Sequence, residues 1–256
     1  MDPFFVKVLI SFVVGSIYLP IALWIAEKFG SKLGGIIVTL PSTFLISFVF
    51  IAWTQDTQAA MQSLPIVPLV LGIDAVFIAL YAALQRYGSN KALLASVTLW
   101  ALAGLPLAFS HFSDIILATI LAIPLFAAAI YYLQRVPHRR ATKIKGNAGT
   151  LAFRGIFAGT VIAAAVFLGR ELGPSWGGLF GNFPAAIFST LYLLNKAHGK
   201  EFAASTGKAA AYCLVANTSF SIALFNTVPL HGVVQGVTIS YLVALASGAI
   251  MYKVMK

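Results

Sequence analysis

Leu33-Gly34-Gly35-Ile36-Ile37-Val38-Thr39-Leu40-Pro41 and Trp176-Gly177-Gly178-Leu179-Phe180-Gly181-Asn182-Phe183-Pro184 are two versions of one apolar, glycine-led segment that ends on proline. The step from Pro41 to Pro184 is 143 residues. The same step relates Gly30 to Gly173, Ser47 to Thr190, Leu71 to Leu214, Asp74 to Asn217 and Phe77 to Phe220. After a slip of one residue, Ile78-Ala79-Leu80 matches Ile222-Ala223-Leu224. The second half of the chain reads as a copy of the first.

Both copies lie in apolar runs long enough to cross roughly 30 Å of hydrocarbon, which takes about 20 helical residues. Nine such runs are read, approximately 4–27, 34–54, 65–85, 91–110, 114–134, 150–169, 176–196, 209–227 and 233–254. Their lengths and the lack of strict alternation predict helices rather than barrel strands. Hydrophobic residues make up 60% of the chain and charged residues 9%, against about 25% charged in soluble domains. The expected fold class is an all-α membrane protein with nine transmembrane helices.

The net charge of +10 is distributed by side, which argues against nucleic acid as a partner. Lys28, Lys32, Arg86, Lys91, Arg135, Arg139, Arg140, Lys143, Lys145, Lys196, Lys200, Lys208, Lys253 and Lys256 fall in loops of one side. The other side has Lys7 and Arg170 beside Asp2, Asp56, Asp114 and Glu171, and Arg154 sits just inside the sixth helix. By the positive-inside rule the N-terminus is outside and the C-terminus cytoplasmic, in a cell (inner) membrane. The first helix lacks a clear small-x-small cleavage site and is the partner of the sixth, so it is expected to stay in the mature chain. Cys213 is the single cysteine, so no internal disulfide is expected.

Helices one to four (1–110) and six to nine (150–256) form the two repeats. The fifth (111–135) links them, and 136–149 is a basic cytoplasmic loop. An offset of five helices inverts the second copy. The segments 56–64 and 200–208 both suit short amphipathic turns along the interface.

The fragment Gly34 to Trp53 brings a resemblance. Leu33-Gly34-Gly35, Leu40-Pro41, the aromatic-rich stretch Phe48 to Trp53, and Gln55-Asp56 resemble the short four-helix membrane family catalogued as domain-of-unknown-function family 3147. The resemblance covers about residues 5–110 and, more weakly, 150–254. It implies a fold rather than an activity, and makes the chain similar to a fused pair of units that would otherwise assemble antiparallel.

Proline inside a helix removes a donor and clashes with the preceding turn, and in hydrocarbon the freed carbonyl needs another partner. Both breaks carry such neighbours: Thr39, Ser42, Thr43 and Ser47 beside Pro41, and Asn182, Ser189 and Thr190 beside Pro184. Gly34, Gly35, Gly177, Gly178 and Gly181 permit unwinding or close helix approach. Matching Gly/Pro-interrupted segments in two halves point to a transport site; a pair of inherited structural kinks is the plain alternative. Asp74 is the single acid within a membrane core. A central Asp is costly there and is expected to face the protein interior or water, where it suits proton or cation binding. Its counterpart Asn217, with Thr218 and Ser219, can only hydrogen-bond. The bland alternative for Asp74 is a structural bond to a neighbouring helix.

Val97-Thr98 resembles Val237-Thr238, although membrane hydroxyls usually bond their own backbone. His111, His138, His198 and His231 lie at helix ends or in loops without metal-ligand spacing. Trp53, Trp100 and Trp176 read as interfacial anchors. Nucleotide-binding loops, paired membrane carboxylates and His-Glu-x-x-His are absent, so neither an enzyme nor a cofactor or metal is expected. The expected function is a secondary transporter of inverted-repeat design, with the proton as candidate coupling ion and a small neutral or amphipathic substrate. In plan alone it resembles the nine-helix bile-acid-type sodium symporters, with no matching motif. A passive channel or lipid scramblase, and a structural membrane protein, are the competing classes. The lipid bilayer and a small-molecule substrate are the expected partners, and a homo-oligomer stays open.

Overall fold

The computed structural model describes residues 2–28, 41–110, 112–137 and 148–254, and no strand occurs among them. In hydrocarbon the backbone must satisfy its polar groups within each segment, which for open segments leaves the helix. The helices in chain order are α1 (Pro3–Lys28), α2 (Ser42–Thr54), α3 (Thr57–Gln62), α4 (Val67–Leu84), α5 (Ser89–Phe109), α6 (Ile115–Leu133), α7 (Ala148–Glu171), α8 (Pro174–Gly181), α9 (Ala185–His198) and α10 (Lys200–Val254). Seven helical stretches among the described residues are long and apolar enough to cross a membrane. The chain is an all-α, multi-pass membrane protein.

Burial follows the same logic. Helix α4 is enclosed on nearly every side, with Leu71, Asp74, Phe77 and Tyr81 all buried. The rim of the molecule is apolar and exposed: Leu9 and Ile17 on α1, Leu102 on α5, Ile116 and Ile120 on α6, and Leu242 on α10. Large apolar side chains facing outward on this scale suit lipid.

The helices sort into two bundles. Helices α1, α2, α7, α8 and α9 pack together, and α4 packs with α5, α6 and α10. The α1–α7 pair depends on small residues. A Cβ at Gly155 would run into the Ser16 carbonyl, one at Gly159 into the Ser16 hydroxyl, and one at Gly15 would meet Ile162. Such residues let membrane helices approach without a large apolar driving force. Between the bundles, α9 lies on α10, and α8 and α9 lie on α5.

A straight helix of 55 residues would run about 80 Å, far beyond the bilayer. Helix α10 instead reverses at Gly232, whose φ of 75° and ψ of 172° leave the helical region. Its two limbs lie side by side: the Thr227 hydroxyl is 3.0 Å from that of Ser240, and Gly236 leaves room for Val228.

Two local expectations meet the structure differently. Residues 57–62 do form a short helix, capped by Asp56 accepting from the Ala59 amide at 2.7 Å. Residues 200–208, expected along the interface, run straight into α10. Gly199, with φ 84°, ends α9. Beyond it the alanine-rich stretch propagates helix well, and Glu201 sits in the first turn, where an acid suits the helix dipole.

Candidate functional site

Helices α2 and α9 begin on buried prolines with nearly the same backbone. Pro41 has φ −72° and ψ 57°, and Pro184 has φ −74° and ψ 52°. Each carbonyl accepts the first helical bond, from Leu45 N at 2.8 Å and from Phe188 N at 2.7 Å. Proline suits this position, since it has no N–H to strand. Neither helix has a side-chain cap, so two helix N-termini start inside the protein with first-turn N–H groups unsatisfied by side chains.

The break before Pro184 is built in detail. Helix α8 ends at Gly181, and Asn182 folds back so that its Nδ2 donates to the Gly178 carbonyl at 2.8 Å. The Phe183 and Asn182 amides reach Phe180 and Leu179 carbonyls at 3.1 and 3.3 Å. The glycines serve close packing here. A Cβ at Gly181 would lie 3.1 Å from Ser47 Cβ, one at Gly177 would lie 2.8 Å from Ile51 Cδ1, and one at Gly178 would strike the Ser63 carbonyl. Helix α8 is thereby seated against α2. Ser47 faces this break, fully buried, and its hydroxyl has no hydrogen-bond partner among the described residues. Gly34, Gly35 and Thr39 lie outside the described residues, as does the side chain of Ser42.

Asp74 is 1% exposed. The Trp100 indole Nε1 donates to its Oδ1 at 2.9 Å. Trp100 in turn stands edge-on to Phe183, with ring centroids 4.9 Å apart, and to Phe180 at 6.0 Å. One side chain therefore connects the acid of α4 to the residue preceding Pro184. The reading of Trp100 as an interfacial anchor is corrected by its 3% exposure and its bond to Asp74. It lies mid-span, and a buried indole N–H needs an acceptor; its position within the run 91–110 was the available signal. Trp53 is half exposed at the end of α2, with Lys7 Nζ bound to its carbonyl. Trp176 stacks on Phe180 and meets Phe109 edge-on.

On α10, Thr218 and Ser219 each bond the carbonyl four residues back, at 3.1 Å. Asn217 Oδ1 is buried with no hydrogen-bond partner among the described residues. One turn on, Phe220 meets Phe44 of α2 edge-on, centroids 6.2 Å apart. The structure so brings Asp74 to the α8–α9 break through Trp100, and the Asn217 turn to the start of α2 through Phe220. It places no hydrogen bond between Asp74 and Asn217 among the described residues. Thr43 and Thr190 are half-buried, and Ser189 bonds the Ala186 carbonyl at 3.1 Å.

The plain reading of Val237-Thr238 holds, since the Thr238 hydroxyl donates to the Val234 carbonyl, four residues back, at 2.9 Å. Thr98 and Thr238 are both exposed, whereas Ser96 and Ser240 are fully buried. These two serines bond the carbonyls of Ala92 and Gly236, four residues back, at 2.9 and 2.7 Å. They are related by the slipped register that pairs Ile78 with Ile222. Arg154, read as lying just inside its helix, is 5% exposed, a buried cation that sequence position alone did not mark. Tyr18 of α1 and Tyr241 of the second limb of α10 lie close enough for their hydroxyls to interact, a contact no motif announced.

Residues 8–113 match the family model described as "Protein of unknown function (DUF3147)". No curated protein and no solved structure matches.

Proposed function

We propose that this chain is a secondary transporter whose central site lies where α2 meets the break between α8 and α9. The observation that carries the reading is the matched pair of buried, uncapped helix starts at Pro41 and Pro184. Interrupted helices at corresponding places in two halves are the membrane-protein device for exposing backbone dipoles to a substrate. Near them are the Ser47 hydroxyl of α2 and the Asn217 carbonyl oxygen, one turn from the Phe220–Phe44 contact, neither with a hydrogen-bond partner among the described residues, groups that a bound solute or water would satisfy. A buried polar atom left unpaired is costly, and functional sites are where such a cost is tolerated.

On this reading the chain crosses the bilayer nine times, N-terminus outside and C-terminus cytoplasmic. Helix α2 completes one crossing, α8 with α9 another, and α10 two. The halves 1–110 and 150–256 are inverted repeats joined by α6. Positive-φ glycines support the repeat, since Gly88 (φ 110°) and Gly232 (φ 75°) fall at equivalent turns in the slipped register. The loop charges support the orientation. Asp74 is the proton-binding group, and Trp100 reports its state to the α8–α9 break. A proton or solute shifts access only through different affinity for the two states. The two bundles are the bodies that move. The site residues are Asp74, Asn217, Pro41, Ser47, Asn182, Pro184, Thr190, Thr218 and Ser219, together with Thr39, Ser42, Thr43 and the glycine pairs. The scarcity of buried charge favours a small neutral or amphipathic substrate.

The test is proton movement in liposomes carrying the purified protein, wild type beside Asp74→Asn, against pooled metabolites. Substrate-dependent proton flux absent from a folded Asp74→Asn supports a coupled carrier. Solute flux indifferent to a proton gradient replaces it with a channel or scramblase, and no flux of either kind returns the chain to a structural role.

A further inference from the structure

A second site lies away from the central one. At the end of the molecule that carries Asp56 and Asp114, a cleft of about 480 Å³ opens between the two bundles. This is within the range of about 300–1,000 Å³ typical of small-molecule sites. One wall is α3, with Gln58 and Gln62; another is the α5–α6 connection, with Phe112 and Ser113; Phe225 of α10 and Ser175 of α8 close it. The cleft thus takes residues from both bundles and from the short helix that joins α2 to α4.

Its chemistry is specific. Ser175 occupies the first turn of α8, which starts from Gly173 with φ 110° and has no side-chain cap. The helix start therefore offers an unmet backbone N–H to a hydrogen-bond acceptor. Ser175 is 7% exposed and lines the cleft, and its hydroxyl has no hydrogen-bond partner among the described residues. The amides of Gln58 and Gln62, both on exposed residues, supply donors and acceptors together. Phe112, Phe225 and Met61 give an apolar side. No charged side chain lines the cleft among the described residues.

We infer that this cleft is a recognition subsite for a small neutral amphipathic molecule. Its head combines a carbonyl acceptor with an N–H or O–H donor, and its body is a short apolar chain. The carbonyl takes the Ser175 hydroxyl and the α8 amide, the donor takes a glutamine side-chain oxygen, and the chain lies on the two phenylalanines. Its use as a vestibule to the central site rests on the carrier reading; its chemistry does not. An anion would find only the partial charge of one helix start, with no cation lining the cleft among the described residues.

Ser113→Cys in full-length Cys213→Ser protein, in liposomes, provides the test, since it leaves the Ser175 hydroxyl in place. A membrane-impermeant thiol reagent is added with hexanamide or hexanoate as probe, and Met61→Cys reports from another wall of the cleft should Ser113→Cys fold poorly. Thr57→Cys, exposed outside the cleft, is the control. At about nine times its Kd, hexanamide slows cleft labelling about tenfold by mass action and leaves Thr57→Cys unchanged. Slowing absent at both cleft positions, slowing equal at Thr57→Cys, or stronger protection by hexanoate than by hexanamide would each overturn the assignment. Protection needs no transport, so a failed flux assay leaves this site standing, and lost protection leaves the carrier reading untouched.

Discussion

Trp100 Nε1 and Asp74 Oδ1 lie 2.9 Å apart, and the far side of the same indole rests edge-on against Phe183, the residue before Pro184. A change at the carboxyl therefore has a rigid aromatic route to the broken helix. Asp74→Asn keeps an oxygen that accepts from the indole, so we expect a stability change of less than about 1 kcal/mol with loss of proton-dependent flux. Trp100→Phe removes the donor and leaves the carboxyl to its buried surroundings. It should destabilise the protein by about 1–3 kcal/mol, read as a lower unfolding temperature in detergent. A stable Trp100→Phe would show that the bond carries little.

Ser47 separates a binding role from a packing role. Its hydroxyl is buried without a hydrogen-bond partner among the described residues, so Ser47→Ala removes an unsatisfied group and should leave stability unchanged or raise it by up to about 1 kcal/mol. Substrate affinity should fall, seen as a raised KM in liposome uptake. A destabilised Ser47→Ala with unchanged KM would assign the hydroxyl to structure.

The glycines of α8 should rank by what a methyl group meets. At Gly178 it strikes the Ser63 carbonyl, which is backbone and cannot swing aside, whereas at Gly177 it meets the end of the Ile51 side chain. Gly178→Ala should cost about 1–3 kcal/mol or more as overpacking, and Gly177→Ala clearly less. Thermal unfolding of the two variants side by side checks the order.

Gly88 and Gly232 have no atom within 4 Å of an added Cβ, but their φ values are 110° and 75°. Alanine at either position therefore meets only a backbone penalty, about 1–3 kcal/mol, because φ is positive with ψ 137° and 172°, a region that glycine alone occupies readily. A much larger loss of stability would mean that these turns do more than reverse the chain.

How much of this was legible follows from the kind of signal involved. Hydropathy and run length marked the chain as all-α and multi-pass, because the bilayer sets a minimum run of apolar residues. Pro184 announced the break between α8 and α9, and Pro41 the start of α2, because few residues forbid a helical hydrogen bond outright. The start of α10 was misplaced because Lys200, Glu201 and Lys208 look interfacial, while alanine propensity and the Gly199 stop carry the helix through them. Trp100 was misread since tryptophan at a membrane boundary and tryptophan in a core differ by depth, not identity. The partnerless Ser47 hydroxyl depends on which glycine of α8 lies opposite it, a relation between distant segments that no local pattern encodes.

Alternating access makes one demand that neither a static scaffold nor an open pore meets: a residue buried at the meeting of α2 and α8 must be reached from each side in turn. Ser47→Cys in Cys213→Ser protein, exposed to an impermeant thiol reagent on one side of the membrane or the other, measures this directly. The account predicts slow labelling from both sides, with no passage of the reagent across the bilayer. Labelling from neither side while Thr57→Cys reacts normally, or labelling accompanied by leakage of the reagent through the protein, would contradict it.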